Sequence, residues 1–200
     1  MQVDPNISDT VSVRLGQFHE LVCKWTKVIN LVSRVSVENI WTRHIQDSIQ
    51  VFHVKHSQGG HWVDLGSGGG FPGIVVAILA AELDPELRMT LVESDQRKAT
   101  FLRTALRELG LNGSVIAKRV EDVPNLQANV ISARALAPLV HLIALSQAHM
   151  AEGAVGIFPK GARWQDEIYD AQRNWQFTYD AIPSTTAQSV ILRIEGISRV

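Results

Sequence analysis

Asp64-Leu65-Gly66-Ser67-Gly68-Gly69-Gly70-Phe71-Pro72-Gly73 is the stretch that decides how this chain is read. The run Trp62 to Leu65 before the glycines has the make-up of a buried strand, and Phe71 to Ala81 after them has the apolar density of a helix. Glycines permit positive φ and let a ligand come close to the backbone, while Pro72 suits the first turn of a helix, where its missing N–H would have no partner. Together they predict a strand, a tight turn and a helix that cradle a ligand.

Working outward, short apolar runs alternate with helical patterns. Met89 to Val92, Val115 to Ala117, Val130 to Ser132 and Ala154 to Phe158 read as strands. Gln96 to Leu109, closed by Gly110, reads as a helix, as do Leu139 to Met150 and Arg163 to Arg173. Phe177 to Ile182 and Ser189 to Ile194 are expected to finish the chain as an antiparallel pair. This alternation predicts an α/β fold with a doubly wound, largely parallel, Rossmann-like sheet. Upstream, Leu15, Phe18, Val22, Trp25, Ile29 and Val32 recur at spacings of three and four and form one helical stripe. A second helix is expected with Ser36 as N-cap and Val37, Trp41, Ile45, Ile49 and Phe52 on its apolar face. The polar, glycine-rich stretch His56 to Gly60 sets a boundary between an N-terminal helical lobe, residues 1–60, and a ligand-binding domain, residues 61–200.

The 200 residues are 46% hydrophobic and 20% charged, which excludes a disordered, collagenous or disulfide-stapled chain. Cys23 is the only cysteine, so no internal disulfide forms, and no Cys/His cluster offers a metal site. No apolar run approaches the roughly 18 residues of a membrane span, and Met1 to Asp9 lack the features of a signal peptide. The expectation is a cytoplasmic, monomeric protein without a membrane partner. A net charge of -1 does not hold nucleic acid by charge alone. Residues 97–119 nevertheless carry six Lys or Arg against one carboxylate, Glu108, either as a solvated helix face or as a local basic patch.

In open parallel sheets ligands sit beyond the carboxyl ends of the strands, so the residues after each run carry the chemistry. Counted from Gly66, the glycines Gly66, Gly68 and Gly70 give only G-x-G-x-G, with Phe71 where the third glycine of a dinucleotide fingerprint would fall. Asp64 at the strand end would repel a pyrophosphate but suits an ammonium group, such as that of S-adenosylmethionine. Glu93 ends the second strand, where an acid can accept the hydroxyls of a ribose. Glu121 and Asp122 follow the third strand and either read an adenine edge or stand as helix N-terminal acids. Arg134 can grip a carboxylate or a phosphate, or form a structural salt bridge. Lys160 lies on the same edge, as a phosphate contact or a solvated turn lysine. The loop and acids point to a methyltransferase more than to a nicotinamide oxidoreductase, which is the alternative enzyme. A noncatalytic, ribosome-associated cofactor-binding protein is the other alternative.

The acceptor can be narrowed. Cytosine C5 chemistry needs a nucleophilic cysteine, and Cys23 falls among core positions of the first helix. Adenine N6 enzymes usually carry an Asn-Pro-Pro-Tyr-like tetrad where this chain has Ser132-Ala133-Arg134-Ala135-Leu136-Ala137-Pro138. Guanine N7 offers an in-plane lone pair and has no proton to lose, so positioning suffices and no general base is assigned.

Several segments together resemble one family, the glucose-inhibited division protein B proteins, the RsmG-type small-subunit ribosomal RNA guanine-N7 methyltransferases. They are Trp25 to Leu31, Arg43 to Ser48, Asp64 to Ile74 with its unusual Phe-Pro-Gly ending, Leu91 to Ser94, Ser132 to Leu139, and Lys160-Gly161. The resemblance implies a class I methyltransferase fold that uses S-adenosylmethionine to methylate one guanine in the decoding-region loop of 16S ribosomal RNA, within the small subunit. By motif position it places cofactor contacts on Gly66, Phe71, Val120, Glu121 and Arg134, with Asp64, Gly68, Gly70 and Glu93 beside them. Arg43, His44, Arg119 and Lys160 are RNA-binding candidates. Asp47 also matches the pattern, and it shares a helix face with His44, either on a ligand rim or in a hydrogen-bond cluster between lobe and domain. Two departures stand out: Pro159, where leucine is commoner, and Val120, where alanine is frequent.

Overall fold

The computed structural model describes residues 7–32, 39–55, 58–185 and 188–200. Ser36 and Val37, the expected start of the second helix, and residues 56–57 of the expected boundary lie outside that description.

Helix α1, Asp9–Thr26, begins where the Ser8 hydroxyl accepts the Val11 N–H, and it buries Val11, Leu15, Phe18 and Val22. It stops six residues short of the predicted end. The Trp25 carbonyl takes the N–H groups of both Val28 and Ile29, closing the helix, while Ile29, Leu31 and Val32 stay buried as a tucked loop. A π-helical turn, Trp41–Ile45, then leads into α2, Gln46–His53, whose Ile49 and Phe52 face the core as predicted.

The sheet begins with β1, His61–Leu65, and continues through α3, Gly73–Leu83, β2, Arg88–Val92, α4, Gln96–Glu108, and β3, Ser114–Ile116. After a 3-10 turn, Val120–Asp122, come β4, Ala128–Ser132, α5, Leu139–Gln147, β5, Met150–Lys160, and α6, Trp164–Gln172. Strands β6, Trp175–Pro183, and β7, Val190–Arg199, close the chain. Strand order is β3-β2-β1-β4-β5-β7-β6, with β1 to β5 parallel and β7 antiparallel to both β5 and β6. The order reverses between β1 and β4, which opens a crevice at their carboxyl ends.

Predicted strands and helices appear in the predicted sequence order, with several bounds shifted: β7, for one, runs on to Arg199 rather than ending at Ile194. The fifth helix ends at Gln147 rather than Met150, and Met150 instead begins a β5 that runs past the expected 154–158 on both sides. Central strands are buried on both faces. Trp62 joins the apolar layer formed with α1, α2, α3 and Phe101 of α4, whereas Val63 and Leu65 join the layer beneath α5 and α6. Helix α3 lies inside the first layer and is buried on every side from Gly73 to Ala80. Lys55 and Asp84 form a buried ion pair, and the same carboxylate accepts the Gly59 N–H, which ties the segment before β1 to the end of α3. Among the described residues no helix is long and apolar enough to cross a membrane.

Candidate active site

Two cavities adjoin beyond the carboxyl ends of the parallel strands, of about 840 Å³ and about 810 Å³, and they share the wall Arg134, Ala135, Leu136 and Ala137. The glycine loop forms one side of the first. Gly66 and Ser67 donate to the Val92 carbonyl, and Gly68 donates to Glu93 Oε2 at 2.8 Å. Glu93 Oε1 accepts the Asp95 N–H, also at 2.8 Å. One carboxylate therefore fixes two turns and keeps lone pairs facing the cavity that it lines. Gly66 has φ +67°, and a Cβ there would come within 2.7 Å of Leu136 across the cavity wall. The Phe-Pro-Gly ending has a packing reason as well. A Cβ on Gly73 would overlap Leu91 and lie 2.7 Å from Asp64 Oδ2.

Asp64 lies beneath this loop. Its Oδ1 accepts the Ser132 hydroxyl at 2.6 Å, Ser132 accepts the Trp62 indole N–H at 2.9 Å, and Ser67 donates to the Asp64 carbonyl. Burial raises the Asp64 carboxyl from 3.8 to about 6, against the pull of the Ser132 hydrogen bond.

Arg134 stands at the junction of the two cavities. Its Nη1 donates to Nδ1 of His44 at 2.7 Å, and its guanidinium lies 5.2 Å from the Phe71 ring centroid. Arginine has only donors, so His44 Nδ1 is the acceptor and the ring proton is on Nε2. Burial first, and then the Arg134 charge, lower the His44 pKa from 6.5 to about 4. Burial also presses the Arg134 pKa down, while Asp47 and Asp64 raise it.

The second cavity is walled by the turn that holds Arg43 and His44, by Asp47 of α2 and by the start of α6. Asp47 accepts the Ser184 hydroxyl, and Gln50 bonds both Pro183 O and Thr185 N, so the tip of the β6–β7 hairpin is fastened to α2. Lys160 donates to Ala137 O at 3.1 Å and to Glu167 Oε2 at 2.7 Å, and Glu167 also accepts the Leu139 N–H. These bonds brace the shared wall from behind.

Residues 12–190 match the GidB family model, described as rRNA small subunit methyltransferase G. The chain belongs to the GidB family. It is 51% identical over 196 residues to the ribosomal RNA small subunit methyltransferase G of Ruegeria pomeroyi, an alignment that covers 98% of this chain and 96% of that protein. The fold is shared more widely. A ribosomal protein L11 methylase from Lactobacillus delbrueckii subsp. bulgaricus superposes with TM-score 0.61 at 18% identity, covering 78% of each chain. A predicted O-methyltransferase from Agrobacterium tumefaciens does so with TM-score 0.58 at 19% identity, covering 76% of this chain and 81% of that one. The expected Rossmann-like class I methyltransferase sheet is thus the fold of this GidB protein.

Within this GidB chain, Gly66, Gly68, Phe71, Glu93, Val120, Glu121 and Arg134 all line the first cavity. Asp64 and Gly70 do not line it: Asp64 is buried beneath the loop and Gly70 is buried within it. The RNA-binding candidates divide. Arg43 and His44 line the second cavity, whereas Arg119 lines the first, beside Lys98 and Lys118. Lys160 reaches the second cavity with its ammonium already committed to Ala137 and Glu167, which leaves little of it for a phosphate. Cys23 lines neither cavity. Glu167 escaped the sequence reading because its partners are Lys160, seven residues away, and the backbone of Leu139, 28 residues away.

Proposed function

We infer that this GidB-family enzyme transfers a methyl group from S-adenosylmethionine to N7 of one guanine in the decoding-region loop of 16S ribosomal RNA. The observation that carries this reading is the pair of adjoining cavities with the common wall Arg134 to Ala137, one bearing the glycine loop and Glu93, the other opening beside Arg43 and His44.

The residues present fit the donor. About 840 Å³ accommodates a nucleoside with an amino-acid tail. Glu93 has one hydrogen bond on each oxygen and so further lone pairs for ribose hydroxyls, and Val120 and Glu121 line the same cavity, available to an adenine. Arg134 has further guanidinium donors for the tail carboxylate or an RNA phosphate. When bound, the cofactor supplies an electrophilic sulfonium methyl. That methyl would pass to the N7 lone pair, which needs no general base, so the chain's task is alignment and exclusion of water. The oxidoreductase alternative has less support, because the chain matches over residues 12–190 a family described as rRNA small subunit methyltransferase G.

A net charge of -1 favours an assembled small subunit over naked RNA as substrate, acted on by a monomer in the cytoplasm. The test is incubation with methyl-labelled S-adenosylmethionine and small subunits from cells that lack the enzyme. Label on N7 of one guanine is the expected result. Label on another base, or none, rejects the reading.

A further inference from the structure

His44 brings a ring N–H to the wall of the second cavity. It lies in the turn Trp41–Ile45, the one stretch of π-helix among the described residues. Such turns widen the backbone locally and recur at functional sites. Here the turn puts Arg43 and His44 on the wall of the second cavity, beside Arg134. Because Nδ1 accepts from Arg134, the ring proton is on Nε2, and the Arg43 backbone is the other group of the turn that acts on the ring.

We propose that His44 selects the target base, its Nε2–H donating to guanine O6 while N7, the neighbouring atom on the same edge, faces the methyl donor. This rests on the methyl-transfer reading above. Guanine presents N7 and O6 as adjacent acceptors, whereas adenine presents N7 beside an amino donor. A fixed N–H therefore pairs with guanine and opposes adenine, and a site built around such a bond rejects a base that cannot complete it. The order of the walls agrees. Residues Arg134 to Ala137 belong to both cavities, so the base edge turned toward the donor is also the edge turned toward Arg134 and its partner His44. The lining of the same cavity includes Asp166 and Asp170, carboxylates that repel a phosphate but suit the N1–H and N2–H groups of guanine.

The test uses small subunits reconstituted with guanine, inosine or 2-aminopurine at the target position. Inosine keeps O6 and N7, and 2-aminopurine keeps N7 without O6. Wild-type protein is expected to methylate inosine within a few-fold of guanine and 2-aminopurine about tenfold more slowly, the usual weight of one hydrogen bond. His44→Ala loses about tenfold on guanine and nothing further on 2-aminopurine, because both changes remove the same bond. His44→Gln, whose amide can accept from Arg134 and still donate, restores the preference for guanine. Equal losses on guanine and 2-aminopurine in His44→Ala overturn the proposal and leave His44 as a support for Arg134. If wild-type protein labels none of the three, the methyl-transfer reading itself fails.

Discussion

Arg134 Nη1 and His44 Nδ1 meet at 2.7 Å across 90 residues of sequence, joining the loop after β4 to the π-helical turn before α2. The bond holds the guanidinium over Phe71 at the boundary of the two cavities, where one side chain borders both.

Arg134→Ala is expected to weaken S-adenosylmethionine binding by about 1–3 kcal/mol, the range of a lost charge-assisted hydrogen bond. Calorimetric titration measures it directly. Unchanged affinity would assign the side chain to RNA or to the fold.

Two buried groups give opposite pH signatures. The folded pKa of Asp64 is raised from 3.8 to about 6, so its contribution is fully present below 3.8 and is lost as pH rises through 6. Relative to Asp64→Asn, wild-type protein should therefore gain about 2–3 kcal/mol as pH falls from above 6 to below 4. His44 is depressed from 6.5 to about 4, so its contribution is present above 6.5 and is lost as pH falls toward 4. Urea unfolding of wild type, Asp64→Asn and His44→Gln between pH 4 and 8 separates the two slopes. Parallel curves would show that neither group titrates abnormally.

Lys160→Met strands the Glu167 carboxylate and frees the Ala137 carbonyl. With Lys160 9% and Glu167 29% exposed, the loss should be about 1–3 kcal/mol of stability. If Lys160 served RNA instead, stability would hold and the salt dependence of RNA binding would flatten.

Gly73→Ala forces a methyl group against Leu91 and the Asp64 carboxylate, and is expected to cost about 1–3 kcal/mol by overpacking. A thermal midpoint unchanged from wild type would contradict the packing reason given for the Phe-Pro-Gly ending.

Much of the site was legible because its parts are local. The glycine loop, Glu93 and the Val120–Glu121 pair each follow a strand within a few residues, so strand order alone brings them to one edge. The π-helical turn was not legible, since spacings of four between Trp41, Ile45 and Ile49 fit an ordinary helix equally well. Nor was the length of β5. Glu152 and Gly153 interrupt its apolar run, and Gly153, at φ +71°, lies where the pairing with β4 shifts register. Asp64 was placed on the correct strand, but its depth depends on Ser132, 68 residues away. The Arg134–His44 and Lys160–Glu167 contacts follow only once the chain is folded.

The most direct measurement of the central claim is a calorimetric titration of the purified protein with S-adenosylmethionine and, separately, with NAD, accompanied by Glu93→Ala. Saturable binding of S-adenosylmethionine, a clear weakening in the variant and no NAD binding are expected. Tight NAD binding with none of the sulfonium compound, or an affinity for the methyl donor indifferent to Glu93, would contradict it.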